Sequence, residues 1–356
     1  MECNVLEEKK VYTGIDIGKL IAAVLIVLLH AIENTNWYSC EVKFVLTRCA
    51  VPFFFITSGF FFCEGLKKSV DKKLYFKQYE RKLIIIYTLW ALIIYLPFEV
   101  KTYITKYAGD SVFKIVAIML RKLFIVGPGP YWYLMAMMLA AAIIYWCSSK
   151  KESYLICALV VGVLLEIMYS SFRGICSRII IFELLFKLID FVYSWEFNFI
   201  MYGIPFMGMG YLLAKYNWTV KKRTAILVWV VSTVIRVIEY NLPIIFNNCD
   251  FVRNNNISVA FIMQALAFFM IAKEVDIKMD NKKSVTLRQF SSFIYFSHAI
   301  ILYEIMNPVL KKITDWPIYD NSFILPKVIV TLAICTLLFC IIKRINNPKL
   351  NILING

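Results

Sequence analysis

Apolar runs of membrane length recur from one end of this chain to the other, divided by short charged loops. A bilayer core of ~30 Å takes about 20 helical residues to cross. Inside it, a backbone satisfies its own hydrogen bonds only as a helix or a closed barrel. The runs are continuous and lack the period-two alternation of barrel strands, so they predict an all-α polytopic membrane protein. Candidate spans are 17–33, 44–62, 83–100, 131–147, 154–169, 199–214, 224–241, 257–272, 290–306 and 322–342. These ten crossings return the chain to the side on which it began. No polar stretch exceeds roughly 40 residues, short of an ordinary soluble domain. Residues 1–356 therefore read as one membrane domain between tails 1–15 and 343–356, and the first apolar run, with no small-residue cleavage site behind it, as a retained helix.

A formal net charge of +15 on a 60% hydrophobic chain needs a location before it has a meaning. Lys and Arg sit in short loops such as "EGLKKSVDKKLYFKQYERK", "SSKKES", "KYNWTVKKR" and "KEVDIKMDNKKSVTLR", and in the terminal "KRINNPK". Alternate loops such as "NTNWYSCEVK" are poorer in both, so both termini are expected in the cytoplasm. This placement excludes nucleic acid as the expected partner and favours the lipid bilayer, with anionic headgroups or a phosphorylated ligand beside it. One basic loop falls on the opposite side, and its "VFKIVAIMLRKLF" section reads as an interfacial amphipathic helix, as does "SRIIIFELLFKLIDFVYSW". The ten cysteines form no CxxC pair, and no metal site is expected. Cys40, Cys176 and Cys249 are expected outside, where one disulfide stays open.

The chemistry-bearing residues concentrate in a few places. Asp16, Lys19 and His30 lie on the first span, Lys19 and His30 eleven residues apart. That spacing is about three turns, roughly 16 Å of rise, and returns to within about 20° of one face. The stripe is expected to run from the cytoplasmic interface at Asp16 and Lys19 to the outer half at His30. An ionisable group inside a membrane is a functional-site candidate because its burial costs several kcal/mol unless it meets a cavity or partner. Taken alone, Lys19 is more often a snorkelling interface residue. The second of only two histidines, His298, falls inside the ninth span, one turn after Tyr295. Imidazole near neutral pH suits acid–base work or proton passage.

Two further stretches stand out. Arg48 and Pro52 begin the second span, Ser58 and Gly59 are expected to interrupt it, and seven Lys or Arg residues follow between Lys67 and Lys82. The plain reading is a solvated orientation-setting loop; the sharper one is a phosphate site reached by Arg81 and Lys82, with Lys77 in the same run. In "GPGPYWYL", two Gly-Pro pairs break the helix before Trp132 and Tyr133, which serve either as an aromatic belt or to stack on a sugar or an acyl carrier.

Several of these motifs resemble those of the integral-membrane acyltransferase family 3, which O-acylates sugars and surface polymers in bacteria. They are "GIDIGKLIAAVLIVLLHA", "VPFFFITSGFFF", "YERKLIIIYTLW", "GPYWYL" and "FIYFSHAII", in order, across roughly 12–345. The resemblance implies a ten-helix transferase of the bacterial cytoplasmic membrane. It would take an acyl group, usually acetyl, from cytoplasmic acyl-CoA and deliver it to a carbohydrate hydroxyl at the outer face. It implies no bound cofactor, acyl-CoA being the donor substrate. His30 matches the catalytic histidine, Lys19 the usual first-span arginine, and Asp16 the acid before it; Arg81 and Lys82 fall in the basic motif that, with Lys77 and Arg48, is expected to bind the donor. Ser58, Tyr133, Trp132, Tyr295 and His298 are expected to support catalysis. Gln78 and Tyr79 occupy the earlier positions of the basic pair, and Ile86 stands where proline is common. A homo-oligomer or a partner envelope enzyme is compatible with the pattern. The competing readings are a transporter or exporter using the same charged helix face, and a scaffold for a partner enzyme.

Overall fold

The computed structural model describes residues 12–32, 40–107, 109–193, 198–245, 258–309 and 323–354. Among them there is no strand. The helices are α1 (Thr13–Ala31), α2 (Val42–Lys68), α3 (Lys72–Lys106), α4 (Val112–Arg121), α5 (Gly129–Lys150) and α6 (Glu152–Ser170). They continue as α7 (Ile180–Tyr193), α8 (Phe199–Lys215), α9 (Lys222–Ile245), α10 (Val259–Glu274), α11 (Asn281–Ala299, prolonged through Ile300–Met306) and α12 (Ile324–Ile345). Each expected span coincides with a helix, and seven (α1, α2, α3, α5, α6, α9 and α12) are long and apolar enough to cross a membrane. α8 and α10 are shorter, and α11 begins with a charged half. Side chains such as Leu227, Val230, Val234, Leu325, Ile329 and Leu337 are left uncovered on α9 and α12. In water such continuous apolar faces would drive aggregation; in hydrocarbon they are at home. The chain is a multi-pass helical membrane protein.

Helices form over both segments that the sequence suggests are interfacial. α4 buries no residue, and α7 buries only Phe186 and Ile189 among those described. Arg121 at the end of α4 donates to the Phe191 carbonyl of α7 at 2.6 Å. Ser58 and Gly59 do not interrupt α2, which continues to Lys68. Instead, a Cβ on Gly59 would strike the Met207 carbonyl and one on Gly210 the Ile56 carbonyl, so both glycines are needed for α2 and α8 to touch backbone to backbone. Cys40 and Cys176 are free thiols; Cys249 lies outside the described residues.

α1 sits at the centre and packs against α2, α10, α11 and α12. Its closest functional neighbour is α11, which runs parallel to it. Near one end of α1, Asp16 is paired with Ser284 and Arg288; at the other, His30 meets Tyr303. Asp16 is buried between the two helices, at 1% exposure. Several helices contain wide, π-type turns: Val42–Thr47 in α2, Thr88–Tyr95 in α3, Phe199–Gly203 in α8 and Ile300–Met306 in α11. Such turns accommodate an extra residue and recur at functional sites.

Candidate functional site

The parallel pair α1–α11 brings charged and imidazole groups together at two levels. At the lower level, the Asp16 carboxylate accepts from Ser284 Oγ at 2.5 Å, from Arg288 Nε at 3.1 Å and from Arg288 Nη2 at 3.2 Å. A two-pronged guanidinium contact plus a hydroxyl satisfies a carboxylate that burial would otherwise penalise. Lys19, one turn on, places its ammonium over the Phe61 ring, 5.3 Å from the centroid.

A cavity of about 310 Å³ opens at this level. Lys19, Lys82 and Arg288 supply its charge; Ser58, Tyr79, Tyr133, Ser292 and Tyr295 supply hydroxyls among apolar walls. Ser58 Oγ and Tyr133 OH are hydrogen-bonded to one another at 3.1 Å. Arg81 lines a neighbouring cleft with Lys82 and Ile352, and Lys77 is exposed on the same helix.

Four turns up α1 the surroundings change. The His30 and His298 rings lie 5.1 Å apart, inclined by 36°. His298 is fully buried, and its Nδ1 lies 2.6 Å from the Tyr295 carbonyl. A carbonyl only accepts, so Nδ1 carries the proton and Nε2 the lone pair. That Nε2 is buried without a hydrogen-bond partner. Tyr303 OH lies 3.3 Å from the His30 carbonyl and 3.0 Å from His30 Nδ1. One hydroxyl proton serves both contacts if it goes to the carbonyl while Nδ1–H donates back to the phenol oxygen. His30 Nε2 is then free to act as a base.

His30 lines a second cavity, of about 360 Å³, together with Lys43, Arg48, Trp132, Tyr202, Tyr303 and Tyr295. Lys43 donates to the Ile32 carbonyl at 2.9 Å, and the Arg48 guanidinium covers the Phe44 ring at 4.5 Å. Both belong to the wide turn of α2 or its end, which a buried arginine fastens. Arg236 Nη1 reaches the Val45 carbonyl and Gln264 Oε1, each at 2.7 Å, and Nη2 reaches the Phe44 carbonyl. Those are carbonyls a wide turn leaves for outside donors.

Several expected groupings are thus divided. Arg48 does not join Arg81 and Lys82; it lies at the histidine level. Ser58 and Tyr133 line the basic cavity, not the one holding His30, whereas Trp132, adjacent in sequence to Tyr133, lines the His30 cavity. Asp16 lines neither of the two cavities. Tyr295 lines both the basic cavity and the cavity that holds His30. Arg288, Lys43, Tyr202 and Tyr303 were not expected at the site from sequence. A signal for Arg288 exists: it precedes His298 by ten residues, much as Lys19 precedes His30 by eleven. Among the described residues, no group of three or more His, Cys, Asp or Glu side chains could hold a metal ion.

A multi-pass helical membrane protein with an imidazole site between its helices and a cationic chamber beneath it is the class that fold and geometry define. The acyltransferase domain model of acyltransferase family 3 matches residues 12–343, nearly the whole chain. The chain belongs to that family. It is also similar to two amino-acid racemases of Enterococcus faecalis. One is 27% identical over 221 residues, covering 58% of this chain and 28% of the relative; the other is 24% identical over 325 residues, covering 87% and 43%. The chain thus spans less than half the length of either relative. No solved structure matches it.

Proposed function

We propose that the enzyme takes an acyl group, acetyl in the simplest case, from acyl-CoA at the basic cavity and transfers it to a hydroxyl of an envelope carbohydrate at the histidine cavity. The observation that carries this reading is the arrangement along α1. A chamber lined by Lys19, Lys82 and Arg288 lies at one level, His30 lies roughly 16 Å farther on, and Tyr295 borders both cavities. Clustered ammonium and guanidinium groups suit the phosphates of a nucleotide-bearing donor, and Arg81 and Lys77 extend the positive field across the mouth. The Lys and Arg bias of the loops supports a mouth on the cytoplasmic side of a bacterial membrane, where acyl-CoA is made. At the other level, the faces of Trp132 and Tyr202 and the hydroxyl of Tyr303 suit a sugar.

The chemistry follows from the groups present. His30 Nε2 takes the proton of the acceptor hydroxyl as its oxygen adds to the thioester carbonyl. Lys43 and Arg48 offer positive charge to the resulting oxyanion. Collapse breaks the carbon–sulfur bond, and the departing thiolate recovers the proton from His30. His298 is sealed from the cavity and acts through His30 as a positioning residue.

The test is direct. Purified protein in detergent should transfer or hydrolyse the acyl group of acetyl-CoA, and His30→Ala should remove the activity while donor binding persists. Protein that is inert towards every acyl-CoA, yet moves a small molecule into vesicles without a donor, would replace the transferase reading by a carrier.

A further inference from the structure

We infer that Tyr295 is the specificity-determining partition of this enzyme: its ring closes the path between donor and acceptor cavities and so limits the length of acyl group that reaches His30. The inference rests on the transfer reading above and adds to it which acyl groups are admitted. Its basis is geometric. Among the described residues, Tyr295 is the one side chain that lines both cavities. It is 5% exposed and held in an aromatic layer, its ring centroid 5.2 Å from that of Tyr133, 5.4 Å from Phe54 and 5.4 Å from Phe296.

The Tyr295 hydroxyl donates to the Pro130 carbonyl at 3.1 Å. Pro130 also lines the His30 cavity and follows Gly127 and Gly129, both at positive φ. The ring is therefore fixed at one edge by a single hydrogen bond to a loop, and elsewhere by contact alone. Swinging this ring aside needs that hydrogen bond to break, whereas the neighbouring Phe54, Tyr133 and Phe296 rings line the basic cavity alone.

An acyl-CoA arm entering from the cationic chamber leads with its acyl end. That end must pass the Tyr295 ring before the thioester carbonyl comes within reach of His30. A two-carbon group needs a small displacement of the ring; a long chain needs the opening held wide. While the ring is in place it also separates water in the acceptor cavity from the thioester. A thioester that met water beside His30 would be hydrolysed, with the acyl group released as its acid and the CoA thiol reprotonated. One side chain thus governs chain length and the ratio of transfer to hydrolysis together.

The experiment compares acetyl-, butyryl- and hexanoyl-CoA with the wild-type chain and with Tyr295→Phe, Tyr295→Leu and Tyr295→Ala. Monodispersity and CoA affinity are measured for each variant. The wild type should prefer acetyl-CoA over hexanoyl-CoA in kcat/KM. Tyr295→Ala should cut that preference at least tenfold and raise acceptor-independent hydrolysis. Tyr295→Phe, which keeps the ring and loses only the bond to Pro130, should retain the preference. If the alanine variant fails to fold, Tyr295→Leu carries the same comparison, because it keeps apolar volume and removes the ring. Variants that fold, bind CoA and keep the wild-type chain-length profile and hydrolysis ratio would overturn the inference while leaving the transfer reading intact. Wild-type protein without activity on any acyl-CoA would instead overturn the transfer reading itself.

Discussion

The two cavities are built from different kinds of helix. Those lining residues of the basic cavity on which its charge and hydroxyls depend, Lys19, Ser58, Tyr79, Lys82, Tyr133 and Arg288, all stand on regular α-helical turns. The His30 cavity draws Lys43, Tyr202 and Tyr303 from three separate wide turns, in α2, α8 and α11. A regular helix presents its side chains in stripes of fixed spacing, which suits a field of positive charge. A wide turn re-aims one residue and frees carbonyls, which suits a site where individual groups must converge. The end proposed to bind the donor is thus made of ordinary helix faces, and the end proposed to react of local departures from them.

Substitutions should separate the two ends. The largest effect is expected from His30→Ala, which should lower acyl transfer by about 10²–10⁴-fold with donor affinity unchanged, as read by single-turnover assay and CoA titration. If donor affinity fell in parallel, the division between the ends would be wrong. Next is Arg288→Ala, which leaves the buried Asp16 carboxylate with Ser284 alone. Breaking a buried ion pair costs about 3–5 kcal/mol, reduced here because Arg288 itself is 44% exposed. A lower thermal midpoint together with weaker CoA binding is the expected outcome, and Asp16→Asn in the same background should recover much of the midpoint.

Arg236→Met should have an intermediate effect. It removes the arginine donor from the Phe44 carbonyl and one of two donors from the Val45 carbonyl, which keeps Gln264 Nε2 at 3.2 Å, and so loosens the wide turn that presents Lys43 and Arg48, at about 1–3 kcal/mol. Transfer should fall more than CoA affinity does; an equal fall would mean that the wide turn serves the whole fold and not the reacting end. The smallest effect is expected from Lys82→Ala. Donor affinity should drop by about tenfold at low ionic strength and by less as salt is raised, since an exposed ammonium is screened over ~10 Å at 0.1 M. Binding that ignores both the substitution and the salt would remove the basic cavity from the donor path.

How far the string of residues reveals this arrangement differs between the same two ends. Helical class follows from the apolar runs because a membrane leaves the backbone few choices, and the Lys19–His30 stripe follows from 3.6 residues per turn. That two imidazoles lie in apolar runs is visible in the string; that their rings meet is not, since it depends on the parallel register of helices about 270 residues apart. Arg288 hides in a charged stretch that reads as a solvated loop. The histidine-level position of Arg48 and the presence of Lys43 beside it hide for another reason: a wide turn re-aims its side chains away from the spacing of a regular helix. Ser58 and Gly59 look like a break because glycine is a poor helix former in water, whereas between membrane helices it permits close approach.

Asp16 has a consequence beyond its own ion pair. Helix α1 can turn about its axis or slide against α11, and a slip of one residue rotates every side chain by about 100°. Only one rotational setting lets the carboxylate meet both the Ser284 hydroxyl and the Arg288 fork. In that same setting the two imidazole rings, four turns away, come within 5.1 Å of one another. The carboxylate behaves as a key in a keyway: it sets the angle of the shaft, and the alignment of the histidines is inherited from it.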